Sequence, residues 1–96
     1  MNIELETIRE NLTVDLILDQ LMEEAAEVIQ AANKVKRAMN GKNPTPVTKE
    51  TALKTLEEEL TDVLVCAEVL KQYEAIEYGE TTEKVKRWAD RLKGVN

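Results

Sequence analysis

A chain of 96 residues has room for one domain, and 43% hydrophobic with 33% charged residues is the balance of a folded protein, not of a disordered tail. Aromatic residues make up only 3%, with no Phe, three Gly and two Pro, a composition that argues against an all-β fold. The net charge of −6 argues against binding to nucleic-acid polymers, whose phosphates need a basic face.

In chain order, the first dozen residues read as a short helix ending near Asn11-Leu12-Thr13. A long helix follows, with Leu21, Ala25, Val28, Ala32, Val35 and Met39 at alternating steps of four and three. Asn40-Gly41-Lys42-Asn43-Pro44-Thr45-Pro46 breaks it, because two prolines and a glycine oppose helix continuation. A second long helix carries Leu53, Leu56, Leu60, Val63, Ala67 and Leu70 with the same alternation. A weaker break at Tyr78-Gly79-Glu80-Thr81-Thr82 precedes a shorter helix with Val85, Trp88 and Leu92, Trp88 being read as a core residue.

A loop of about eight residues makes the long helices antiparallel neighbours. The expected fold is one all-α domain over residues 1–96. It is an antiparallel helical bundle of two long helices with shorter N- and C-terminal helices. Leu16, Ile17, Leu18, Ile29, Leu64 and Val65 lie off both seams, so the apolar stripes are wider than one partner helix needs. A chain this small gains little from its own core, so a homo-oligomer, by default a dimer, is expected to complete it.

The absences narrow the chemistry. There is no His and no Ser, which removes Ser–His–Asp and Cys–His catalysis, His-based zinc sites and Glu-x-x-His di-iron bundles. The single Cys66 has no intrachain disulfide partner and is read as a packing residue. Short apolar stretches and an N-terminus bearing Glu4 and Glu6 lead us to expect no membrane span, no signal peptide and a cytoplasmic protein.

The carboxylates carry the positive signal. Glu24 and Glu27 each precede a seam residue by one position, as do Glu59 and Asp62. One residue turns about 100° around the helix, so both pairs flank their seams with the same hand. In an antiparallel pair, offsets of equal hand fall on one side of the interface. Heights agree too: Glu27 and Glu59 lie about 20 Å and 17 Å of helix from the intervening loop. Four convergent carboxylates need protonation or a cation, and an oxygen-only set selects Mg²⁺, then Mn²⁺. Gln20 begins the same stripe and Lys34 continues it, while Lys84 and Arg87 hold the equivalent offset on the last helix. Cations beside such a cluster suit a ligand carrying several phosphates.

Other readings compete with this one. Glu and Asp at helical spacing often form solvated faces, as Glu23, Glu57, Glu58 and Glu68 are expected to do. A non-catalytic acidic bundle that binds partner proteins accounts for the composition equally well, and a nucleotide–Mg²⁺ sensor without turnover is a third reading.

Glu23-Glu24-Ala25-Ala26-Glu27, followed by Glu58-Glu59-Leu60-Thr61-Asp62-Val63-Leu64, resembles the E-x-x-E … E-x-x-D signature of MazG-like nucleoside triphosphate pyrophosphohydrolases. Gln20 to Lys34, with Arg37, is similar to short single-domain phage-type members, and the likeness spans roughly residues 16–92. The resemblance implies a helical dimer or dimer of dimers. It also implies Mg²⁺-dependent hydrolysis of a nucleoside or deoxynucleoside triphosphate to the monophosphate and pyrophosphate. Glu24, Glu27, Glu59 and Asp62 would hold the metal, and one of Glu24, Glu27 and Glu59 would be the general base. Lys84, Val85 and Arg87 match a later N-x-K-[FV]-x-R segment, in which Thr82 replaces the Asn.

Overall fold

Thr13 and Thr48 open the two long helices, each in an extended conformation with its hydroxyl accepting a hydrogen bond from the backbone N–H three residues on, at 3.2 Å in both cases. The computed structural model describes residues 3–41, 46–77 and 79–94. They form four helices and no strand: α1 (Ile3–Asn11), α2 (Val14–Asn40), α3 (Lys49–Gln72) and α4 (Thr81–Leu92). α2 stops at Gly41, whose φ of 66° lets its N–H reach back to the Arg37 carbonyl. Lys42 to Thr45, the centre of the proline-bearing break, lie outside the described residues, as does Tyr78. No helix among the described residues is long and apolar enough to cross a membrane.

α2 and α3 pack along most of their length. Their shared stripe keeps half of each expected seam and moves the other half by one residue. On α2 it runs Ile17, Leu21, Glu24, Val28, Ala31, Val35 and Ala38; on α3 it runs Ala52, Leu56, Glu59, Val63, Cys66 and Leu70, all buried or half-buried. Leu21, Val28, Val35, Leu56, Val63 and Leu70 stand where the periodicity puts them. Ala25, Met39, Leu53 and Leu60 do not, and are exposed. The displacement has the same hand on both helices, toward the carboxylate edge, so Glu24 and Glu59 enter the interface instead of flanking it. Ala31 and Ala52 sit at the shifted positions, where small side chains let the backbones approach. The opposite edge keeps its apolar character and faces solvent through Met22, Ile29, Leu60 and Leu64.

α1 covers the far end of this pair. Ile17, Val69 and Leu70 form a small core with Leu5, Ile8, Val14, Leu21 and Tyr73 around it. The Tyr73 hydroxyl ties α1 down, donating toward the carbonyls of Leu12 and Arg9 just where that helix ends.

α3 stops at Gln72, well short of the glycine at position 79. Its exit is a Schellman turn: the Glu74 N–H reaches the Lys71 carbonyl and the Ala75 N–H reaches the Leu70 carbonyl, at 3.0 and 3.2 Å. That turn places Glu74 at φ 57°, a left-handed conformation that a β-carbon disfavours. Glu74→Gly is therefore expected to stabilise the fold by about 0.5–1 kcal/mol, a rise of several degrees in Tm. Thermal unfolding checks it, and a drop in Tm would contradict the assigned turn.

α4 departs from expectation. It begins at Thr81, after an extended Glu80 that makes no side-chain cap bond, and packs against none of the other three helices among the described residues. Val85, Trp88 and Leu92 share one face and are 63%, 64% and 79% exposed, so Trp88 is not a core residue of its own chain. The radius of gyration, 17.1 Å, reflects this open arrangement; a compact chain of this length has about 12.5 Å.

Candidate metal centre

The one-residue displacement of the helix interface is what builds the site. Glu24 and Glu59 sit in the α2–α3 stripe, and Glu27 stands on its edge one turn beyond Glu24. One carboxylate oxygen from each of Glu24, Glu27 and Glu59 lies within 4.8 Å of the other two. All three residues are half-buried. Oε2 of Glu24 and Oε2 of Glu59 are each shut off from solvent with no hydrogen-bond partner. A buried acceptor with nothing to accept from is costly, and a cation or a proton is what would satisfy it.

The electrostatics record the crowding. Desolvation, then the neighbouring charge of Glu27, holds the Glu24 carboxyl above the usual glutamate range. Glu27 is also raised, first by its hydrogen bond with Glu59 and by that group's charge, then by desolvation. Glu24 is oriented by Gln20, whose Nε2 donates to Oε1 at 2.8 Å.

The expected residues divide into three groups. Glu24, Glu27 and Glu59 converge. Asp62 is exposed and is not part of the three-oxygen cluster; it lines an adjoining depression with Gln20, Glu24, Val65 and Cys66, and its charge adds to the rise at Glu24. Lys34 lines the depression on the other side, with Glu27, Gln30, Ala31, Thr55 and Glu59. Lys84 and Arg87 are not brought to the cluster at all, since α4 stands away from α2 and α3.

Two neighbours were not singled out as site residues from the sequence. Thr55 and Gln30 share the Lys34 depression, and their signal is the spacing of four before Glu59 and three after Glu27. Arg37, one turn past Lys34, has its Nε buried without a partner. Cys66 is buried, and desolvation with the charges of Glu24 and Asp62 pushes its thiol upward, so it stays protonated and packs.

No family model matches this chain, and no curated protein or solved structure does either. The chemistry of the donor set therefore stands on the geometry. Three carboxylates with no nitrogen or sulfur among them, two bearing orphaned oxygens, fit a hard divalent ion of the Mg²⁺ class.

Proposed function

We propose that this chain is a nucleoside triphosphate pyrophosphohydrolase that releases pyrophosphate from an NTP or dNTP in the cytoplasm. The observation that carries the reading is the convergence of Glu24, Glu27 and Glu59 to a common centre with two oxygens lacking partners. The likeness of the flanking residues to the MazG-like signature supplies the reaction class.

Glu24, Glu27 and Glu59 would hold Mg²⁺, or Mn²⁺ in its place, with Asp62 at the margin; the ion neutralises phosphate charge and lowers the pKa of water. Gln20 fixes the Glu24 carboxylate, so that one oxygen is committed to the hydrogen bond and the other points away from it. Lys34 borders the same depression as Glu27 and Glu59, where its ammonium can pair with a phosphate oxygen. Glu24 and Glu27 both hold protons more firmly than an ordinary glutamate, which suits a group that accepts a proton from attacking water.

The bundle of this proposal is antiparallel. Its support is the order of the lining residues: Gln20 and Glu24 with Cys66 and Asp62, then Glu27 and Ala31 with Glu59 and Thr55, ascending on α2 as they descend on α3. It is also a homo-oligomer, a dimer or dimer of dimers. Support comes from the apolar edge of Met22, Ile29, Leu60 and Leu64, which its own chain leaves exposed.

The test is release of pyrophosphate from a panel of canonical and modified nucleoside triphosphates with Mg²⁺. The proposal expects at least one substrate to yield pyrophosphate and monophosphate in equal amounts. Binding without release would mark a sensor. Neither binding nor release, across the panel, would leave the interaction-module reading in its place.

A further inference from the structure

α4 and the surface around the α1 end of α2 and α3 are complementary. Val85, Trp88 and Leu92 form an exposed apolar stripe on α4, with Lys84, Arg87 and Arg91 along one edge of it. Lys86 is turned to the opposite side, where it pairs with Asp90 at 2.8 Å. Between α1, α2 and α3 runs an apolar groove of about 440 Å³ walled by Ile8, Leu12, Leu16, Val65 and Val69. Asp19, Gln20, Glu23 and Cys66 also line it. Gln20, Val65 and Cys66 also line the depression holding Glu24 and Asp62, so the two adjoin. A basic-edged apolar helix thus has an apolar groove with acidic residues along it, in a chain whose net charge is −6 while α4 itself carries four basic residues against two acidic.

We propose that this groove is the docking site for α4 of a second copy of the chain, exchanged reciprocally across a dimer. Three observations favour this occupant: the charge match, the apolar stripe that α4 leaves uncovered, and an open chain that does not fold α4 back onto itself. Trp88 fills the groove and the basic edge lies toward Asp19 and Glu23. Because the groove adjoins the depression holding Glu24 and Asp62, Lys84 and Arg87 reach the carboxylates from the partner chain. The proposal deepens the oligomer reading above and does not depend on hydrolysis.

Trp88 is the chain's only tryptophan, so its emission reports the docked helix. Two variants at exposed positions, Trp88→Ala and Leu16→Asp, break the two halves of the contact separately. The parent is expected to have twice the monomer mass by light scattering, with blue-shifted Trp88 emission that moves to the red on dilution. Each variant alone is expected to be monomeric with unchanged helical circular dichroism, and Leu16→Asp to show red emission. Mixing them leaves one intact pairing, of the Leu16→Asp α4 with the Trp88→Ala groove, and should restore a dimer and the blue emission. Blue emission from a monomer at every dilution would overturn the proposal in favour of docking within one chain. A dimer with solvent-exposed Trp88 emission, or an unpaired parent with red emission, would overturn it as well. None of these readouts involves nucleotide, so failure here is distinct from failure of the proposed activity.

Discussion

Replacing Glu59 with glutamine is expected to lower Mg²⁺-dependent pyrophosphate release by about 100-fold or more while the chain stays folded. The substitution is nearly isosteric, so Leu56, Val63 and the rest of the α3 stripe keep their packing. What changes is the charge. A neutral amide is a weak ligand for a hard cation, and Glu27 loses the neighbouring carboxylate that raises it. In the presence of a chelator the same variant removes a repulsive neighbour, so its Tm should equal or exceed that of the parent. Activity falling while chelated stability holds is the signature of a ligand, not of a packing residue. Glu57→Gln, at an exposed position two residues away, is the matched control and should leave the rate unchanged. Equal rates for parent and Glu59→Gln would remove Glu59 from the site.

The second large effect is a pH-dependent response to Mg²⁺. Glu24 and Glu27 are both raised from an ordinary value of 4.5. A carboxyl whose folded value is raised binds its proton more tightly in the folded chain than in the unfolded one. The stability this provides is complete below pH 4.5 and is lost as pH rises through the raised values. Without a divalent ion, the cluster therefore weakens the fold as it ionises. With one, the ionised oxygens gain a counter-charge that only the folded chain assembles. The difference in Tm between Mg²⁺ and chelator should be close to zero at pH 4 and widen toward pH 8. At an ion concentration ten times the dissociation constant it should reach roughly 5–10 °C. A difference that is flat across this range would mean general screening of an acidic chain.

The periodicity and breaks in the sequence carry the four helices, with α1 and α2 ending where the breaks lie and α3 ending earlier, and they carry the side on which Glu24, Glu27 and Glu59 meet. It could not carry the rotation of the interface. Leu21, Val28 and Val35 belong equally to a stripe through Ala25 and Ala32 and to one through Glu24 and Ala31. A count of apolar residues prefers the former. The chain adopts the latter, which leaves the apolar edge with Leu53 and Leu60 exposed. Glu24 and Glu59 are thus deeper than a residue-by-residue hydrophobic tally allows, and Asp62 is shallower. α4 was misplaced for a related reason. Val85, Trp88 and Leu92 do mark an apolar face, but nothing in their spacing says which molecule covers it. The end of α3 was illegible because Glu74 adopts a backbone conformation usually reserved for glycine, and the glycine at position 79 drew attention instead.

The central claim is that Glu24, Glu27 and Glu59 share one divalent ion. The most direct test is a crystal grown with Mn²⁺ and measured for anomalous scattering. The account predicts a single strong peak per chain bounded by oxygens of all three residues, weakened or absent in Glu59→Gln. Peaks only at scattered surface acids such as Glu57 or Glu83, with no metal among the three carboxylates, would contradict it.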